Sequence, residues 1–175
     1  MKLHLGCGSR HLEGFVNIDI NSEAADIHFD IRVLPLEDSS VDEIYACHVL
    51  EHFGRSEFKA VLTEWIRTLK PNGKLYIAVP DIESAINHFE KNKDLSVLMG
   101  QFWGGQRDEW DFHKVGFTLK TLEAVLLSCG MENVLRYESK DYLPVGFDDY
   151  SRSYLPHMDT NGHLLSLNVC CQKKT

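Results

Sequence analysis

A glycine turn and two acids behind it carry the first chemical signal. Leu3-His4-Leu5 runs into Gly6-Cys7-Gly8, Asn17-Ile18-Asp19-Ile20 follows, and Phe29-Asp30-Ile31 comes next. Glycine lets backbone approach a ligand with no side chain in the way. A carboxylate closing the next strand can accept from a ribose diol, and a further acid can accept from an exocyclic amine. This order suits a nucleotide-like ligand. Spacing narrows it: Asp19 comes only 11 residues after Gly8, and His11 holds the third glycine position. A dinucleotide fingerprint needs that glycine, a full helix, and its acid about 20 residues on. Here a helix of about two turns at most would fit, so a pyrophosphate on a long helix N-terminus is disfavoured.

A second group is built on histidine. His48, His52 and His113 are candidate proton acceptors, since imidazole titrates near neutral pH. In His48-x-x-Glu51-His52, a helix would place both histidines on one face at i and i+4 with Glu51 beside them, which is metal-ligand spacing, and His113 could add a fourth ligand. The same string matches the inverted zinc-protease motif, but a peptidase would leave the glycine turn and ordered acids unexplained. For each histidine, the bland alternative is a hydrogen-bonded ring that only shapes a cleft.

The elements that must position these residues alternate in type. Strands are predicted at Leu3–Leu5, Val16–Ile20, Glu43–Ala46, Lys74–Val79, Glu132–Tyr137 and Leu164–Cys171. Phe58, Val61, Leu62, Trp65, Ile66 and Leu69 recur with helical period, with Ser56 placed to cap the start and Pro71 to bar continuation. Further helices are expected from Ile82 to Phe89 and, behind a Thr118 cap, from Leu119 to Leu127. The pattern predicts an α/β fold, doubly wound and mostly parallel, with helices on both faces. Residues 93–112 and 141–163, rich in aromatics and glycine hinges, are expected to be functional lids.

Length and charge set bounds. The 175 residues suit one domain over 1–175, and neither repeats nor linkers divide them. With 18 basic and 26 acidic side chains the net charge is −8, which disfavours general binding to nucleic acid or anionic membranes. Five cysteines without framework spacing, no spanning apolar stretch, and a start that reaches Gly6 before any signal-peptide core point to the reducing cytoplasm.

Leu5-Gly6-Cys7-Gly8, Asn17-Ile18-Asp19-Ile20, Asp30, Leu34-Pro35-Leu36, Ser39-Ser40-Val41-Asp42-Glu43-Ile44, His48-Val49-Leu50-Glu51-His52 and Leu69-Lys70-Pro71-Asn72-Gly73 form an ordered series. It resembles the motifs of class I S-adenosylmethionine-dependent methyltransferases, in particular compact bacterial and archaeal members. The resemblance runs from residue 3 to about 80 and resumes at 113–130 and 166–173. It implies a seven-stranded sheet in the order 3-2-1-4-5-7-6 with the last strand antiparallel. It also implies that Gly6, Cys7 and Gly8 line the methionine part of the cofactor, that Asp19 takes the ribose hydroxyls, that Asp30 with Ile31 faces the adenine, that Leu5 and Ile20 belong to the cofactor site, and that His48 sits beside the methyl group. The departures are His4 where many members carry an acid, no leading helix, and an abbreviated first helix. Glu51 and His52 also resemble part of the Glu-x-x-Glu-His metal site of small-RNA 2′-O-methyltransferases and ubiquinone-pathway O-methyltransferases, with His48 in place of the first glutamate.

Because Cys47-His48-Val49-Leu50 stands where an Asn-Pro-Pro-Tyr signature would methylate base amines or amides, an oxygen acceptor is favoured, on a small molecule or sugar. The alternatives are a non-catalytic S-adenosylmethionine-binding protein that regulates a partner, and a nicotinamide-binding Rossmann protein. Monomer and homodimer both stay open.

Overall fold

The structure, a computed structural model, describes residues 1–175. In chain order it comprises β1 (Lys2–Leu5), β2 (Val16–Asp19), β3 (Ile27–His28), β4 (Val41–Cys47), α1 (Phe58–Thr68), β5 (Leu69–Pro80), α2 (Ile82–Asn92), α3 (Met99–Trp103), α4 (Leu119–Ser128), β6 (Met131–Arg136), α5 (Ser139–Tyr142), β7 (Tyr154–Leu155), β8 (His163–Leu164) and β9 (Ser166–Lys173). Seven strands form one sheet in the order β3-β2-β1-β4-β5-β9-β6, which is the order 3-2-1-4-5-7-6 when only its own strands are counted. β1 to β5 pair in parallel, and β9 is antiparallel to both β5 and β6. β7 and β8 form a separate short hairpin that the sequence did not announce.

Side-chain alternation sorts the sheet into two unlike faces. Leu3, Leu5, Ile44, Ala46, Leu75, Ile77, Leu167 and Val169 join the main core with Val61, Leu62, Trp65 and Ile66 of α1 and Leu122 and Leu126 of α4. Trp65 anchors it. Its ring is fully buried and its indole N–H donates to the Ile31 carbonyl at 2.9 Å, which ties α1 to the loop carrying Asp30. The opposite face carries His4, Tyr45, Cys47, Tyr76 and Ala78, covered by Leu12 and Phe15 and by Tyr142, Leu143 and Phe147 around the short helix α5. Polar contacts complete that cover: Tyr45 donates to Asp149, Asn168 donates to the Ser151 carbonyl at 2.9 Å, and Tyr142 donates to Glu43 at 3.0 Å.

Two local expectations are corrected. No helix forms between β1 and β2, because Gly6, Gly8 and Gly14 all take positive φ and leave too few residues to nucleate one. Ser56 does not cap α1 either: Glu57 is the N-cap residue, makes no side-chain cap bond, and instead accepts from the Gly54 N–H at 2.9 Å. The Thr118 cap on α4 is present as a reciprocal capping box with Thr121.

Candidate functional site

Parallel strands β1, β2 and β4 end at a cavity of about 540 Å³. At its floor the chain leaves β1 through Gly6 (φ +63°) and Gly8 (φ +52°). A Cβ on Gly6 would lie less than 3.0 Å from both Val49 methyl carbons, so this position admits no side chain. Asp19, at the end of β2, is locked by that turn: one oxygen accepts from the Gly8 N–H at 2.9 Å, the other from Asn21 and Ser22 N–H at 3.0 and 3.1 Å. A carboxylate has about four acceptor positions, so roughly one stays free for a ribose hydroxyl.

Asp30 and Ile31 form the next wall. Asp30 accepts from Arg32 Nη1 at 2.9 Å, and the Arg32 guanidinium lies between the rings of Phe53 and Trp110, 5.4 and 5.3 Å from their centroids. Trp110 comes from the loop after α3, so that loop does reach over the cavity. With its amide oriented to satisfy both ends, Asn21 accepts from Trp110 Nε1 at 3.3 Å. Burial pushes the Cys7 thiol up to about 12, so it stays protonated.

The histidines do not share a helix face. His48 is left-handed (φ +53°) and Leu50–His52 is a single 3-10 turn, so the i, i+4 geometry of the helical motif is absent. This corrects the helical metal spacing and removes the peptidase alternative. His48 and His52 line the cavity, whereas Glu51 and His113 stand behind it.

Hydrogen bonds fix the tautomers. Asn168 gives its N–H to Ser151, so its oxygen accepts from the Ser166 hydroxyl at 2.8 Å, and Ser166 in turn accepts from His48 Nε2 at 3.0 Å. His48 Nδ1 is then a lone pair, 3.4 Å from a Glu51 carboxylate oxygen. His52 and His113 donate from Nδ1 to the carbonyls of Phe112 and Gln101 at 3.1 and 3.0 Å, which leaves both Nε2 atoms as lone pairs. His113 Nε2 faces the same Glu51 oxygen at 3.7 Å. Burial keeps all three rings neutral, lowering His48 to about 3 and shifting His52 and His113 down as well.

Glu51 is fully buried, and neither carboxylate oxygen has a hydrogen-bond partner. Burial raises its pKa to about 8. Ligand atoms of Glu51, His52 and His113 lie within 4.8 Å of one another, the set here that could hold a metal ion; His48 flanks it but is not part of it.

Residues 3–77 match the methyltransferase domain family. Solved structures with the same fold include a protein from Thermotoga maritima described as a possible histamine N-methyltransferase, with TM-score 0.59, 18% identity, and coverage of 99% of this chain and 82% of that one. A methyltransferase from Methanosarcina mazei gives TM-score 0.58 at 19% identity, covering 99% and 92%, and one from Archaeoglobus fulgidus gives 0.60 at 16%, covering 98% and 85%. No curated protein matches the chain. The chain therefore has the fold of these S-adenosylmethionine-dependent methyltransferases, and its residues 3–77 carry the match to the methyltransferase domain family.

Within this methyltransferase fold, Gly6, Cys7, Gly8, Asp19, Ile20, Asp30, Ile31 and His48 all line one cavity. Leu5 does not: it is fully buried in the main core and supports the turn from beneath. Arg32, Arg107 and Asp149 also line the cavity and were not singled out as site residues from the sequence. The acid pair Asp148-Asp149, inside an aromatic loop, was the available signal for the last.

Proposed function

We propose that this methyltransferase-fold protein transfers a methyl group from S-adenosylmethionine to a hydroxyl of a small-molecule or glycan-like acceptor, as a single domain spanning 1–175. The observation that carries the proposal is the gathering of the glycine turn, Asp19, Asp30 with Ile31, and His48 around one cavity that also contains His52. The residues fit the cofactor: the space a side chain would take at Gly8 is open, and Asp19 keeps acceptor capacity at the next strand end. The sulfonium supplies an electrophilic methyl. What remains for the protein is to hold donor and acceptor in line and to receive the acceptor's proton.

His52 Nε2 suits that second task, being neutral, bearing a free lone pair, and belonging to a cavity-lining residue. His113, the other base considered from sequence, is turned toward Glu51 instead. Trp110 and Tyr150 give the cavity aromatic faces on which a sugar ring can stack. The net charge of −8 argues against nucleic acid as the general acceptor. Five free cysteines fit a reducing cytoplasm, and no helix is long and apolar enough to cross a membrane.

Isothermal titration with S-adenosylmethionine and S-adenosylhomocysteine tests the proposal. Binding of both supports it, and no heat with either overturns it. Binding without methyl transfer across a panel of sugars and small alcohols would instead support the non-catalytic alternative.

A second arrangement is favoured by the unpartnered Glu51 oxygens. Raised to about 8, Glu51 keeps its proton while facing the lone pairs of His48 and His113, and a cation between Glu51, His52 and His113 would displace that proton and take the carboxylate as a ligand. A divalent ion there would orient and acidify an acceptor hydroxyl. Metal analysis decides: about one equivalent in the wild type and none in Glu51→Gln supports the site. Metal-free protein whose turnover survives chelation removes it.

A further inference from the structure

At the glycine-turn end of the cavity the chain presents an unusual charge arrangement. His4 occupies the middle of β1, where its ring is almost fully buried and lines the cavity. Its neighbour Asn17 is fixed in orientation by donating to the Leu12 and Phe15 carbonyls, both at 3.1 Å, and to Asp26 at 3.0 Å. The Asn17 oxygen therefore accepts from His4 Nδ1 at 2.9 Å, and burial keeps the ring neutral. β1 thus brings no anion to this end. Asp19, the acid of β2, is already tied to three backbone N–H groups.

The anion comes from elsewhere in the chain. Asp149 is 7% exposed, lines the cavity together with His4 and Gly6, and acts electrostatically on His4. Its carboxylate is held by neutral donors only: the Tyr45 hydroxyl on one oxygen, and the Ser151 N–H, at 3.0 Å, and hydroxyl on the other. No cationic side chain pairs with it. The adjacent Asp148, not Asp149, pairs with Arg10 at 3.8 Å and contacts His157 Nε2 at 3.1 Å. A buried carboxylate, locked in place and lacking a cation of its own, is a prepared site for a cation brought by a ligand.

We propose that Asp149 binds the α-ammonium group of the cofactor's amino-acid end, supplying from the segment between α5 and β7 the negative charge that His4 does not supply from β1. This rests on the assignment of the cavity to S-adenosylmethionine. The preference it creates is for ligands with a free ammonium beside the thioether, and the residue acts by binding and positioning, with no part in the methyl transfer.

Two ligands separate this role from general support of the fold. S-adenosylhomocysteine carries the ammonium, whereas 5′-methylthioadenosine keeps adenine, ribose and sulfur but lacks the whole amino-acid end. In titration calorimetry, Asp149→Asn should weaken S-adenosylhomocysteine about tenfold or more and leave methylthioadenosine within about twofold. Equal weakening of both ligands, or of neither, overturns the proposal. Should the variant fold poorly, the wild type alone still decides with deaminated S-adenosylhomocysteine, whose ammonium is replaced by a keto oxygen. It should bind about tenfold or more weakly than the parent, and equal affinity overturns the proposal. Failure of wild-type protein to bind S-adenosylhomocysteine at all is a different result, because it removes the cofactor assignment itself.

Discussion

Substitution at Gly6 separates two costs that the structure lets one calculate apart. Gly6 and Gly8 both take left-handed backbone, which costs an alanine about 1–2 kcal/mol. Around Gly8 a new Cβ meets nothing, so Gly8→Ala should cost about that much, or roughly 2–8 °C in melting temperature for a chain of this size. At Gly6 the same methyl would press on both Val49 methyl carbons. Valine is stiff at χ1 and Val49 is nearly buried, so yielding costs a further 1–3 kcal/mol or so. Gly6→Ala should then cost about 2–5 kcal/mol. Val49→Ala costs about 2 kcal/mol by itself but opens the space, so the double variant should be less destabilised than the sum of the singles by about 1–3 kcal/mol. Urea titration of the wild type and the four variants supplies the cycle, with m-values checking that unfolding stays two-state. Equal costs at Gly6 and Gly8, with coupling to Val49 inside about 0.5 kcal/mol, would refute the idea that Val49 closes the floor of the turn.

Asp19→Ala should weaken S-adenosylhomocysteine about tenfold or more by titration calorimetry and also loosen the turn, because three backbone N–H groups lose their acceptor; unchanged affinity would discard Asp19 as the ribose partner. His52→Ala should spare cofactor binding while lowering turnover about 10²-fold or more, and turnover equal to wild type would discard it as base. Stability should fall in acid. Burial sets the folded pKa of His4, His48, His52 and His113 below the unfolded value, so below about pH 6.5 the unfolded chain binds protons that the folded chain refuses. Glu51, raised to about 8, pulls the other way because the folded chain holds its proton, but one carboxyl offsets only part of four rings, so melting temperature should still drop from pH 7 toward pH 5, and a flat profile would contradict the assigned neutral rings.

Periodicity made the helix-covered face legible. The apolar stripe of α1 and the strand runs around Ile44 and Ile77 need only local spacing to be recognised, and they end up in one core. The cavity's glycine turn and acids were legible too, because their order along the chain mirrors the order of strand ends at which ligands meet a parallel sheet. Glu51 was not. In sequence it looked like one ligand of a helical motif, but His48 takes a left-handed conformation and the turn tightens to 3-10, and the carboxyl group is buried between the rings of His48 and His113. No local pattern encodes that convergence, since His113 arrives from 62 residues away in the chain.

The short β1–β2 connection links the fold to the site. Ten residues containing three positive-φ glycines cannot build a crossover helix, so the sheet face opposite α1 and α4 lacks the apolar helical cover that a full crossover would bring. That face is instead lined by His4, Asn17, Tyr45, Ser166 and Asn168, groups that must be hydrogen-bonded once buried. Asn17 serves His4, and Asp149 and Ser151 from the segment between α5 and β7 serve Tyr45 and Asn168. Covering the face and lining the cavity are consequently tasks of one segment, and Asp149 does both. The same network runs through Asn168 and Ser166 to His48, so the strap that covers the sheet also sets the tautomer of a histidine in the candidate active site.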